Sequence, residues 1–234
     1  MKLKTLFISL VFLAAATMNY AQESTFKKEV TAWHKKAVIT CGMIKSPEAL
    51  TKNNQIAKNL EEMVSELDAL TNKYKTNPPA EYKNDPLWAS YFEDLADNLT
   101  VVNYFTKNQQ FRVASKTCSV FCQTILRMHK NNGTIEVSDM LFSLNMQLKL
   151  TTDISNTGNA NGARNTLEMV KDIMQHLSQK IKGSTDKTME AMYAPVETVT
   201  QNWLNAIEKG DAKLAKELYA SFLPQFQKMF MASM

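Results

Sequence analysis

Three observations predict an all-α protein. Apolar residues recur at three- and four-residue steps through most of the chain, no sustained apolar–polar alternation appears, and the six glycines and six prolines fall mostly between the periodic segments. The segments group into two tandem antiparallel four-helix bundles after a signal peptide, with boundaries at 1–21, 22–133 and 134–234.

The leader comes first. Lys2 and Lys4 precede an apolar run from Leu6 to Ala16, and a small-residue end at Asn19-Tyr20-Ala21 marks cleavage before Gln22. That run is too short to span a membrane, and no other long apolar segment follows. With no cysteine just after the cleavage point, the expectation is an unlipidated periplasmic or secreted product with no membrane span in the mature chain. Cleavage removes 21 of 234 residues and both leader lysines, so the formal charge falls from +4 to about +2 and no basic block remains for nucleic acid.

The first helix is expected from Phe26 to Ile44, with Phe26, Val30, Trp33, Ala37 and Cys41 on one side. Ser46-Pro47-Glu48 supplies an N-cap, a first-turn proline and a dipole-favoured acid, predicting the start of a second helix. Its buried stripe is Leu60, Met63, Leu67, Leu70 and Tyr74. Asn77-Pro78-Pro79 ends it, and Asp85-Pro86 leads into a third helix with Trp88, Phe92, Leu95, Leu99, Val102 and Phe105 inside. After Lys107-Asn108 a fourth helix is predicted on the stripe Phe111, Ser115, Cys118, Cys122, Ile125 and His129, which places both cysteines toward the core. Asn131-Asn132-Gly133 closes this half.

The second half repeats the layout: Ser138 to Ser155, Asn161 to Lys182, Thr185 to Glu208 and Asp211 to Phe230, separated at Gly158, Gly183 and Gly210. Asn59-x-x-Glu62-Met63-Val64 has a counterpart in Asn165-x-x-Glu168-Met169-Val170, which together with helix order suggests duplication. Pro195 and Pro224 are expected to start, break or kink the last two helices.

The stretch from Phe111 through Lys116-Thr117-Cys118-Ser119-Val120-Phe121-Cys122 is the most informative in the chain. With the Pro86-Leu87-Trp88 helix start and Phe92, it resembles the cytochrome c′ family over roughly residues 26–131. In that family a Phe seven residues upstream leads into Lys-Thr-Cys, two spacers, a second Cys and the iron-ligating His. Phe111 and Cys118 keep the spacing, whereas Phe121 stands at the second Cys position and Cys122 at that of the His. The resemblance implies an exported antiparallel bundle with haem near its last helix and roles in electron transfer or small-gas binding. Only Cys118 carries over as a cofactor-binding position, as a remnant of haem attachment. Residues 136–231 resemble the family more faintly through Gly210-Asp211-Ala212, with Phe226 and Phe230 near the places of cysteine and histidine. A normal c-type haem is therefore not expected, and the space it would occupy is either filled by Phe121 and neighbouring aromatics or kept for a small apolar ligand.

Cys41, Cys118 and Cys122 make an odd number in an oxidising compartment, so at least one is outside any intrachain disulfide. Levelling antiparallel helices one and four at ~1.5 Å per residue puts His34 beside Cys122 and Cys41 within a turn of Cys118. Three outcomes follow. The cysteines can pack as small apolar groups. Cys41 can form a disulfide with either helix-four cysteine, Cys118 being nearer by level. Or Cys41, Cys118, Cys122 and His34 can gather as a soft-ligand site for Cu(I) or Zn(II), with Met43 nearby. The last arrangement resembles the paired cysteines of bacterial copper storage proteins, which carry many more of them.

His129 and His176 are read as structural, the methionines as core filling, and Glu61-Glu62 and Glu93-Asp94 as solvated charge. No phosphate-binding glycine loop, nucleophile elbow or metalloprotease histidine pair occurs. The function expected is that of an exported, non-catalytic helical bundle with a degraded cytochrome c′-like haem site. Its role would be structural or the binding of a small apolar ligand or protein partner. The alternative is a periplasmic redox or metal/haem-binding protein using the Cys118/Cys122 pair.

Overall fold

A computed structural model describes residues 25–234. The leader expected at residues 1–21 lies outside them. All regular structure among the described residues is helical. The chain divides into two compact units, one ending at Thr134 and one beginning at Ile135.

In the first unit, α1 covers residues 25–45. It is followed by α2 (Asn53–Tyr74), a short 3-10 turn (Ala80–Tyr82), α3 (Trp88–Lys107), α4 (Phe111–Thr117) and α5 (Ser119–Asn131). α1 buries Phe26, Val30, Trp33, Ala37, Cys41 and Ile44, the stripe its spacing predicts extended by a turn. α2 buries Ile56, Leu60, Met63, Leu67, Leu70 and Tyr74. Its start differs from the expectation at Ser46-Pro47-Glu48. There Ser46 Oγ does accept from the Glu48 N–H at 3.1 Å, but residues 47–52 form turns and the regular helix begins at Asn53.

Cross-helix bonds fix the helix directions. Trp33 Nε1 donates to the Met63 carbonyl at 3.0 Å, Lys36 reaches Glu62 at 2.9 Å as well as Glu66, and Lys73 and Tyr74 close the far end on Glu29. As α1 numbers rise, α2 numbers fall, so the two are antiparallel. Arg127 on Asp94 and Asn131 on Tyr91 show the same for α3 and α5. At one end Phe26, Tyr74, Tyr82, Trp88 and Phe92 form an aromatic cluster with centroid spacings of 4.8 to 5.3 Å.

The predicted fourth helix is two helices, parted at Cys118. Ser115 and Thr117 hydroxyls bond back to the Arg112 and Ala114 carbonyls, competing with the regular ladder. Cys118 keeps right-handed helical dihedrals, φ −56° and ψ −32°, so the two pieces continue in nearly one direction. The buried stripe is also rotated from the expected one. Ala114, Cys118, Phe121, Ile125 and Met128 face the core, while Ser115, Cys122 and His129 are only half-buried. Phe121 explains the rotation: a phenyl ring has much more apolar area to bury than the Cys122 thiol one position on.

The second unit comprises α6 (Val137–Asn156), α7 (Ala160–Arg164), α8 (Leu167–Lys182), α9 (Lys187–Lys209) and α10 (Ala212–Ala232). The helix predicted over Asn161 to Lys182 is thus divided near Asn165 and Thr166, where the Thr166 hydroxyl turns back to the Ala163 carbonyl. Reciprocal bonds between Glu136 and Asp139 cap α6, while Asp186 and Asp211 cap α9 and α10. Gly210 ends α9 at φ +75°, a left-handed position that suits glycine. Pro195 and Pro224 sit inside α9 and α10 and neither ends its helix. In the core Trp203 Nε1 donates to Thr152 Oγ1 at 3.0 Å, and Phe222, Phe226 and Phe230 stack along α10. The Asn59 and Asn165 motifs do not share an environment: Met63 is fully buried, whereas Met169 is 52% exposed.

Candidate sulfur–imidazole site

In the first unit Cys41 pairs with Cys118 and His34 with Cys122, in the order their levels predict. α1 contributes His34 and Cys41, two turns apart on one face, and the α4–α5 segment contributes Cys118 and Cys122, one turn apart. Cys41 and Cys118 form a disulfide, their Cα atoms 5.8 Å apart across 77 residues of chain. Both are buried, at 7% and 3% exposure. Cys122 is outside the disulfide and half-buried. Its Sγ lies 3.2 Å from Nε2 of His34, an imidazole only 5% exposed.

Of the three outcomes open from the sequence, the disulfide is the one observed, and Cys118 is the partner of Cys41. This bears directly on metal. A disulfide sulfur offers no thiolate, so in this form only Cys122 and His34 keep ordinary ligand capacity. Among the described residues no cluster of three or more Cys, His, Asp and Glu is arranged to hold a metal ion. Met43 packs at the core edge and accepts from Asn59 Nδ2 at 3.7 Å.

The residues equally fail to fit a covalently attached haem. The sulfur of Cys118 is committed to Cys41. Phe121, at the second thioether position of the resemblance, is 1% exposed and packed edge-on against Trp33. Cys122 stands where the axial imidazole would be. In the second unit Phe226 and Phe230 are buried in the α10 stack.

Two open grooves lie elsewhere, one in each unit. One of about 520 Å³ lies between α3 and α5, with Val101 and Val120 on its walls beside Asp94, Asn98, Thr124 and Arg127, the last paired to Asp94. Another of about 400 Å³ lies between α8 and α9, lined by Lys171, Gln175, Gln179 and Glu197 among others.

His129 lies in the last turn of α5. His176 is exposed and bonds the Asp172 carbonyl at 2.9 Å. Of the paired carboxylates, Glu62, Glu93 and Asp94 serve as surface ion-pair partners, and Lys36 is held above its ordinary pKa by hydrogen bonds from its ammonium to Glu66 and Glu62. Sequence reasoning missed one partly buried polar network. The Asp85 carboxylate accepts from the Leu87 N–H, Tyr91 Oη and Asn132 Nδ2 at 2.9, 2.8 and 2.6 Å, and Asn131 in turn donates to Tyr91. The Asp85-Pro86 helix-start signal was its only trace in the sequence.

No family model matches the chain, and neither a curated protein nor a solved structure matches it significantly. No described helix is long and apolar enough to cross a membrane.

Proposed function

We propose that the chain is an exported, non-catalytic protein of two tandem four-helix bundles, diverged from a cytochrome c′-like form, with a structural or protein-binding role in the periplasm or outside the cell. One observation carries this reading. Cys118, the sole position the resemblance assigns to haem attachment, is instead the anchor of a disulfide to Cys41. A residue that once could have tethered a cofactor now staples α1 to the segment holding Phe121, whose ring packs in the core. Such a staple suits an oxidising compartment and a scaffold role. The test is an ultraviolet-visible spectrum with metal analysis on protein exported by a haem-maturing host. A colourless, metal-free product supports the scaffold; a Soret band or stoichiometric copper lost in Cys118→Ala overturns it.

A second reading is favoured by the contact between His34 and Cys122. Reduction of the disulfide would leave three thiols and an imidazole on two facing helices, a donor set that suits Cu(I) or Zn(II). Titration of the reduced protein with either ion, read by metal retention after gel filtration, tests it.

A further inference from the structure

We propose that Cys122 is a modification site that takes up half of a small organic disulfide, with His34 as its base. Three features of the site point this way. The first is the separation of 3.2 Å between Nε2 and Sγ, which is within reach for one proton to pass from thiol to imidazole. The second is the division of exposure between the two partners. His34 is sealed in the core at 5% exposure, whereas Cys122 is half-buried, so the cysteine lies nearer the surface than its base, which is shielded from bulk water. The third is the commitment of the other two sulfurs. Cys118, one helical turn away, is already joined to Cys41, so it is not available as the thiol that would displace an adduct from Cys122.

The step balances without any further oxidant. The Cys122 proton moves to His34 Nε2, and the thiolate attacks one sulfur of R–S–S–R. The Cys122–S–S–R bond forms as the original S–S bond breaks. The Cys122 sulfur is oxidised, the departing sulfur is reduced, and the leaving thiolate collects the proton from His34. Because no neighbouring thiol resolves the adduct, it persists until an external thiol removes it. The half-buried setting favours small disulfides over protein ones. A scaffold and a metal-binding protein could each carry such a thiol, so this proposal does not depend on either functional reading.

The experiment treats native, unreduced protein with excess dithiobis(nitrobenzoic acid) and follows release of the coloured thiolate. The expected result is one equivalent released, an adduct mapped by mass spectrometry to Cys122, and no reaction in Cys122→Ser. The native rate should exceed that of the same thiol in the urea-unfolded, unreduced chain by about tenfold or more. His34→Gln should remove about that factor while the circular dichroism and melting curve stay unchanged. A native rate at or below the unfolded rate overturns the proposal, as does a folded His34→Gln protein that reacts as fast as the parent. Should His34→Gln fail to fold, the native-to-unfolded comparison decides alone.

Discussion

Trp33 on α1 meets Phe121 on α5 edge-on, with ring centroids 5.6 Å apart and planes at 86°. Both rings are at most 2% exposed, and the indole Nε1 is satisfied by the Met63 carbonyl, so one contact ties three helices together. Truncation of Phe121 should therefore cost more than its own transfer energy, because Trp33 is held by its hydrogen bond and cannot easily collapse into the space. Phe121→Ala is expected to lower stability by about 3–5 kcal/mol, measured by urea unfolding. If the surrounding rings stay in place, the variant should also bind a small apolar probe such as benzene, seen as a ligand-dependent rise in melting temperature. A loss below about 1 kcal/mol would mean that this contact is not a core contact.

The disulfide closes a loop of 77 residues. Chain-entropy reasoning gives a ceiling of roughly 4–5 kcal/mol for a loop of that length, and native disulfides commonly deliver 2–5 kcal/mol. Cys41→Ser together with Cys118→Ser should lower stability within that range, read from urea midpoints at unchanged slope. In the unreduced parent, denaturation should reveal a single titratable thiol, and reduction should reveal all three. Two different pairings in the peptide map, or three thiols before reduction, would remove the staple from the account.

Asp85 gives the pH dependence its sign. Burial alone would raise its pKa, but hydrogen bonds from the Leu87 N–H, Asn132 and Tyr91 outweigh that cost and leave it below the ordinary carboxylate value. A depressed folded-state pKa means that the contribution is present above the unfolded pKa and is lost as pH falls through the folded one. The stability gap between the parent and Asp85→Asn should thus be constant near neutrality and shrink through the acid range below about pH 4. Unfolding curves for both proteins across that range provide the check. A gap that widens in acid would contradict the assignment.

Helix content and the levels of the sulfur residues were legible in the sequence for one reason: both depend on position along a helix. The α1 and α2 stripes follow from spacing alone, as does that of α3 apart from Phe105, which is only partly buried. Counting rise along two antiparallel helices sets Cys41 near Cys118 and His34 near Cys122 without choosing between disulfide, metal site and plain packing. Rotation about the helix axis was less legible. Ser115, Cys122 and His129 satisfy the same four-and-three spacing as Ala114, Phe121 and Met128, and periodicity cannot choose between stripes one position apart. The area of Phe121 decides it. Helix starts and breaks were missed where side-chain hydroxyls turned back on the backbone, at Ser46, Thr117 and Thr166. The Asp85 network was hidden because its partners Asn131 and Asn132 lie more than forty residues away, and their asparagine pair reads locally as a helix stop.

Thr106, near the end of α3, is 1% exposed, and its hydroxyl oxygen has no hydrogen-bond partner. A buried hydroxyl left in this state costs about 1–3 kcal/mol of desolvation that nothing returns. Valine has nearly the same shape, fills the same space with a methyl group, and loses little in helix propensity relative to threonine. Thr106→Val is therefore expected to stabilise the protein by about 1 kcal/mol, a rare direction for a substitution at a fully buried position. Thr106→Ala serves as the control: it removes the same orphan oxygen but also a methyl group, so the packing loss should cancel much of the gain. Urea unfolding of the three proteins resolves the two terms. A valine variant less stable than the parent would mean that the hydroxyl is bonded after all, through an ordered water or a rotated side chain.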